Sequence, residues 1–207
     1  MTKQDERRAA ILAAAGAVFT ERGFHGARTI DVAARANVSK RDLYAAFPSK
    51  EDLLTALIAE GAKEMTAPLA LAHPESRASF YAALDAFGRQ FLERQLSAPR
   101  LALLRLMIAR AAENPLAAGD ADAPMREELW DALGAFFATA AQAGIIGFLP
   151  PPRDTAGAYL SILQGDLVMR ALMDPSFRPE EEQCATRVRQ AAMTVMALEA
   201  RPARPNR

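Results

Sequence analysis

The stretch that most constrains this chain is residues 28–54, where three helix starts follow one another within 27 residues. Thr29 is suited to cap a short helix carrying Ile30, Val32, Ala33 and Ala34. Asn37 falls at the corner behind it, where a residue tolerant of the left-handed region is needed; Gly fits best there and Asn next. Ser39 then caps a second helix, and Asp42 three residues on makes Ser39-Lys40-Arg41-Asp42 a capping box. Val38, Leu43 and Phe47 face inward at helical spacing, which leaves Lys40, Arg41 and Tyr44 outward. Pro48 ends this helix, because the residue before a proline avoids the helical region. Ser49 caps the third helix, with Asp52 repeating the box. Two short helices joined by a tight turn, the second with basic residues in its first turn, form a helix-turn-helix over about 28–47. That motif lays its second helix in the major groove of DNA.

Upstream, Ala10, Ile11, Ala14, Val18 and Phe19 recur at helical spacing, so residues 3–22 form a bracing helix that Gly23 stops. Phe24 plugs the small core and His25 follows in a turn. Over residues 7–58 the chain resembles the N-terminal domain of the TetR family of bacterial transcriptional regulators. The resemblance rests on Phe19, Arg22-Gly23-Phe24, Gly26, Thr29, Val32-Ala33, Ala36, Val38-Ser39, Leu43-Tyr44, Phe47-Pro48-Ser49-Lys50-Glu51 and Leu53. Asn37 departs from the family's usual Gly. Ala45 and Ala46 replace positions often held by Tyr, Arg or His, so a relative's operator does not transfer to this chain.

The 51% hydrophobic share is ample for a core, and strand formers are sparse. The expected fold is all-α, about nine helices, with a DNA-binding domain over 4–64 and a helical body over 75–201. The third helix runs from Ser49 to the mid-60s, and Ala67-Pro68 and His73-Pro74 break the pattern. Helices are then expected at 75–97, 100–113, 125–143, 154–173 and 180–200, with a loop over 114–124, a rigid Pro150-Pro151-Pro152 spacer and a frayed tail. Apolar runs fall short of a membrane span. No leader is recognisable, and the single cysteine, Cys184, suits a reducing cytoplasm. Net charge is zero, yet residues 1–50 hold nine Lys or Arg against five Asp or Glu, and the rest sixteen against twenty. A basic reading head on an acidic body still steers DNA.

Lys40 and Arg41 can donate to guanine edges or to phosphate, and Asp42 can accept from cytosine or serve only as a cap. Thr29, Ser39 and Lys50 sit at helix N-termini, where backbone N–H groups favour a phosphate. The resemblance implies a phosphate contact for Tyr44. It also implies a homodimer built from helices 154–173 and 180–200. The first of these carries apolar residues on two sides. A small-molecule effector is implied by the resemblance alone. Phe87, Phe91, Leu103, Met107, Trp130, Phe137 and Leu163 are candidates for a lipophilic pocket or for plain core. The expected protein is a non-enzymatic, cytoplasmic regulator without cofactor, metal or membrane span. It binds a double-stranded, palindromic DNA operator, most readily as a ligand-released repressor. A ligand-dependent activator and a partner-binding scaffold are the alternatives. Two turn histidines, with no phosphate loop, metal-spaced cluster or nucleophile elbow, argue against catalysis.

Overall fold

The computed structural model describes residues 2–113, 115–147 and 150–199, so the tail expected to fray lies outside the described residues. Among them are ten helices and no strand: α1 Lys3–Gly26, α2 Thr29–Arg35, α3 Lys40–Ala46, α4 Lys50–Leu71, α5 Arg77–Gln95, α6 Ala98–Glu113, α7 Pro115–Gln142, α8 Pro152–Gln164, α9 Leu167–Met173 and α10 Glu181–Glu199. Among these residues no helix is long and apolar enough to cross a membrane.

Several boundaries follow from single residues. Gly23 adopts φ 67°, ψ 173°, and α1 resumes for one further turn as far as Gly26. Asn37 is left-handed at φ 53°. The Asn37 and Val38 N–H groups donate to the Ala34 and Ala33 carbonyls, closing α2 with the paired bonds of a Schellman turn. Gly144, at φ 70°, closes α7 in the same way, through Gly144 to Ala141 and Ile145 to Ala140.

Gly23 thus interrupts the first helix without stopping it, and His25 is helical rather than in a turn. Three further boundaries differ from expectation. The predicted loop over 114–124 is helical from Pro115 onward. Proline suits a helix's first position, and the alanines at 117, 118, 121 and 123 favour helix enough to outweigh Gly119 and the aspartates. Pro68 does not end α4: the helix forgoes one backbone bond and continues to Leu71. The predicted single helix 154–173 breaks into α8 and α9 at Gly165 (φ 49°, ψ −130°). A Cβ there would run into the Arg187 guanidinium, which bonds Asp166.

The chain forms two compact units, residues 1–62 with 98–125, and residues 63–97 with 126–207. The first encloses Ile11, Leu12, Val18, Phe19 and Phe24 of α1 with Val32, Leu43, Phe47, Leu53 and Ile58. In this unit α6 packs on α1. In the second, α10 packs on α8 and α5 around Phe80, Phe87, Phe91, Phe137 and Tyr159. The wholly buried Tyr159 donates its hydroxyl to the Leu84 carbonyl at 3.0 Å, which satisfies it. Burial also pushes this phenol well above its ordinary pKa, keeping it neutral.

The end of α10 is tied down by Glu199. Its carboxylate accepts from Arg77 at 2.6 Å, from the Gly147 N–H at 3.0 Å and from the Tyr81 hydroxyl. Burial alone would raise its pKa, but these donors outweigh burial and hold it below the ordinary glutamate value. A lowered folded pKa stabilises the fold above the unfolded value, and that stability is lost as pH falls through the folded one. Glu199→Gln should therefore lower stability at neutral pH and flatten its decline in acid, as measured by urea unfolding from pH 7 to 3. At the α2–α3 corner, Asn37→Gly should be neutral or stabilising. Asn37→Val should cost about 1–2 kcal/mol by the same measurement, since only the latter strains a left-handed residue.

Candidate nucleic-acid interface

The candidate interface is formed by α2, α3 and the start of α4. The seven-residue helices α2 and α3 are too short to persist alone, so their positions depend on contacts outside themselves. Three kinds of contact hold them. Asp31 on α2 accepts from Arg22 of α1 at 2.5 Å and from Arg28 at 3.1 Å, and Arg35 reaches Glu21 at 2.7 Å. The hydrogen bond from Arg28 and the charge of Arg22 hold Asp31 below the usual carboxylate range, and Arg35 does the same for Glu21. Arg7 of α1 approaches Asp42 of α3 at 3.6 Å, and the Arg8 guanidinium lies 4.4 Å from the Phe47 ring centre. Leu43, fully buried, and Phe47 anchor α3 from beneath.

The two capping boxes close differently. At α4, the Ser49 N–H donates to Asp52 and the Asp52 N–H to the Ser49 hydroxyl, both at 3.0 Å: a complete reciprocal box. At α3, Ser39 accepts from the Asp42 N–H at 3.0 Å, while its own hydroxyl donates to the Asp42 carboxylate at 2.8 Å. Asp42 thus serves the cap and the Arg7 contact, in line with its capping alternative. The expected Thr29 cap does not form. Arg28 holds the cap position without a side-chain bond, and Thr29 is the first helical residue. Its hydroxyl instead pairs with the Tyr44 hydroxyl at 2.9 Å, joining α2 to α3.

Of the predicted contact residues, Lys40, Arg41 and Tyr44 lie together, exposed on α3. The Lys40 ammonium sits 5.7 Å from the Tyr44 ring centre. Among the described residues neither Lys40 nor Arg41 is ion-paired, whereas Arg22, Arg28 and Arg35 are committed to carboxylates. Ala45 adds no polar edge, and Ile30 on α2 is half exposed. Lys50 stands apart. Its ammonium donates to the Phe24 carbonyl at 2.7 Å and the Ala27 carbonyl at 3.2 Å, and lies 4.3 Å from the Phe24 ring centre. In this position it binds the α1–α2 turn to α4 through two of its three N–H donors. Sequence spacing gives no signal for this bond, which spans 23 and 26 residues.

The candidate ligand residues divide. Phe87, Phe91, Phe137 and Leu163 are at most 2% exposed and pack with Tyr159 as core of the second unit, ring centres 5.8–6.4 Å apart. Trp130, in the same unit, is half buried beneath Arg126. Leu103 and Met107 lie half buried on α6 of the first unit.

Residues 11–57 match the family model described as bacterial regulatory proteins, tetR family, and residues 82–198 match that of the AefR-like transcriptional repressor C-terminal domain. The HTH-type transcriptional activator FasR of Mycolicibacterium smegmatis is 47% identical over 55 residues, which is 27% of this chain and 25% of that protein. This chain therefore spans about a quarter of the length of that curated relative in the matched region. Among solved structures, a TetR-family transcriptional regulator of Mesorhizobium loti superposes with a TM-score of 0.75 at 21% identity, covering 95% of this chain and 98% of that one. The flavonoid-responsive regulator FrrA superposes at 0.65 with 25% identity, covering 95% and 98%.

With its ammonium on carbonyls, Lys50 contributes to the interface by positioning. Lys50→Met should lower the melting temperature and weaken DNA binding while leaving the salt dependence of the remaining affinity unchanged. A salt slope lower by about one would place the ammonium on a phosphate instead.

Proposed function

We propose, from the premise that the chain belongs to the TetR family of bacterial regulatory proteins and is thus a DNA-binding transcriptional regulator, that it represses its target genes as a homodimer on a palindromic operator. A small ligand with an apolar body, held in the second unit, releases it. The observation that carries the DNA reading is α3: Lys40, Arg41 and Tyr44 are exposed side by side on a helix fixed from behind by Leu43, Phe47 and the Asn37 turn. In this reading Arg41 reads a base edge. Lys40, Tyr44 and the N-termini at Thr29, Ser39 and Lys50 set the register on the phosphates, the last through backbone N–H groups. Two α3 helices about 34–36 Å apart meet successive major grooves.

Dimerisation is supported by the exposed apolar side chains of α8 to α10. Met169 is 61% exposed, Met173 79% and Met193 65%, with Ile162 and Met196 partly so. Apolar side chains left outward on adjacent helices mark an association surface. Repression is supported by the match of the body to a repressor C-terminal domain. The activator FasR is matched over only 55 residues, so its direction of regulation argues weakly for the second reading, a ligand-dependent activator acting in the same cytoplasm. The name of FrrA is consistent with an aromatic effector. The chain of α4 continues from the first unit into the second, a covalent path by which occupancy of one can bias the other.

Two outcomes test this reading. Arg41→Ala should cost about 1–3 kcal/mol on the preferred operator and little on unrelated DNA, measured by competition anisotropy; an equal loss on both would make Arg41 a phosphate contact. A Met169→Glu, Met193→Glu double variant should sediment as a monomer and lose most operator affinity. A dimer persisting in that variant would move the interface elsewhere.

A further inference from the structure

The side chains that α2 and α3 offer to a base edge are unbalanced. Lys40 and Arg41 are donors, and they suit the acceptors of guanine. The side-chain acceptors are engaged within the protein. Asp31 takes hydrogen bonds from Arg22 and Arg28, and Asp42 takes one from the Ser39 hydroxyl at 2.8 Å. The Thr29 and Tyr44 hydroxyls are bonded to each other at 2.9 Å. Neither helix carries Asn or Gln, the side chains that bond adenine through two groups at once. An A·T pair is then recognised from its thymine, and the group that marks thymine in the major groove is the C5-methyl.

The first turn of α2 holds an apolar side chain suited to that methyl. Ile30 is 54% exposed, whereas Val32 and Ala33 of the same helix are buried. It lies about 100° round the helix from Thr29, whose bond to Tyr44 brings this turn of α2 alongside α3. Isolated apolar side chains are common on protein surfaces. Ile30 differs in its place, beside a reading helix whose own outward positions supply donors and a phenol. Being β-branched, it keeps one strongly preferred rotamer in a helix, so an apolar contact costs it little side-chain entropy. We propose that Ile30 is a specificity-determining residue that packs against the C5-methyl group of one thymine in each half-site of the operator. This role rests on the DNA reading of α3 and adds to it a base that Arg41 does not identify.

The test uses the full-length protein and the operator it selects from genomic fragments. Thymines are replaced by deoxyuridine, which removes only the methyl, one symmetric pair of positions at a time, and affinity is read by competition anisotropy. One such pair should weaken the wild-type protein by about fourfold per half-site, as expected for one methyl group lost from a buried contact. Ile30→Ala should keep the wild-type melting temperature and bind the thymine operator more weakly. The same deoxyuridine pair should then change its affinity by less than about twofold, since the contact is already gone. Ile30→Val, which keeps the branch, should retain most of the methyl dependence. Wild-type affinity indifferent to every deoxyuridine pair, or a methyl effect that persists in full in Ile30→Ala, would overturn the role of Ile30 and leave α3 as the reading helix if binding still falls steeply with salt. Enrichment of no DNA at all would overturn both.

Discussion

The reading head depends on one backbone constraint, the left-handed residue at Asn37 (φ 53°). It lets the chain reverse in a single step, so that only four residues separate α2 from α3. Two seven-residue helices have no independent stability. They exist because this corner, the Asp31 clamp and the burial of Leu43 and Phe47 act together. If the corner were not left-handed, Leu43 would leave the core and Lys40, Arg41 and Tyr44 would no longer share one outward face. Asn carries this conformation at some cost relative to Gly, and at less cost than most other residues.

The head divides its charged side chains into two groups. Arg22, Arg28, Arg35 and Lys50 are turned back on the protein, to carboxylates or carbonyls, and define where α2 and α3 lie. Lys40 and Arg41 are left for a partner. The local basicity of residues 1–50 therefore overstates the charge available to DNA, since part of it is spent internally. The exposed ion pairs among these contribute little stability singly. Their value lies in orientation, which two short helices cannot secure by packing alone.

What was legible in the sequence was whatever is written locally. The Asn37 turn, the Ser49–Asp52 box, the Gly144 stop and the inward Leu43 and Phe47 all follow from residue type within a few positions, and the structure agrees, whereas Gly23 interrupts α1 without stopping it. Long-range contacts were not legible. Lys50 reads as an exposed cation until the Phe24 and Ala27 carbonyls come beneath it, and Thr29 reads as a cap until Tyr44 arrives from α3. The helix expected over 154–173 broke because Gly165 must make room for Arg187, 22 residues away. Aromatic spacing on α5 and α7 correctly marked inward faces. It could not distinguish side chains that fill a core from those that border open space: Phe137 packs in the core and also borders a pocket beside Pro150–Pro152.

The central claim is that α3 is a DNA-reading helix. Its most direct test is to select genomic fragments with the purified protein and follow binding of the best fragment by fluorescence anisotropy as salt is raised. The account predicts enrichment of a palindromic site whose affinity falls steeply and linearly in log–log form with salt, as phosphate contacts release counterions. Absence of an enriched site, or an affinity indifferent to salt, would contradict it.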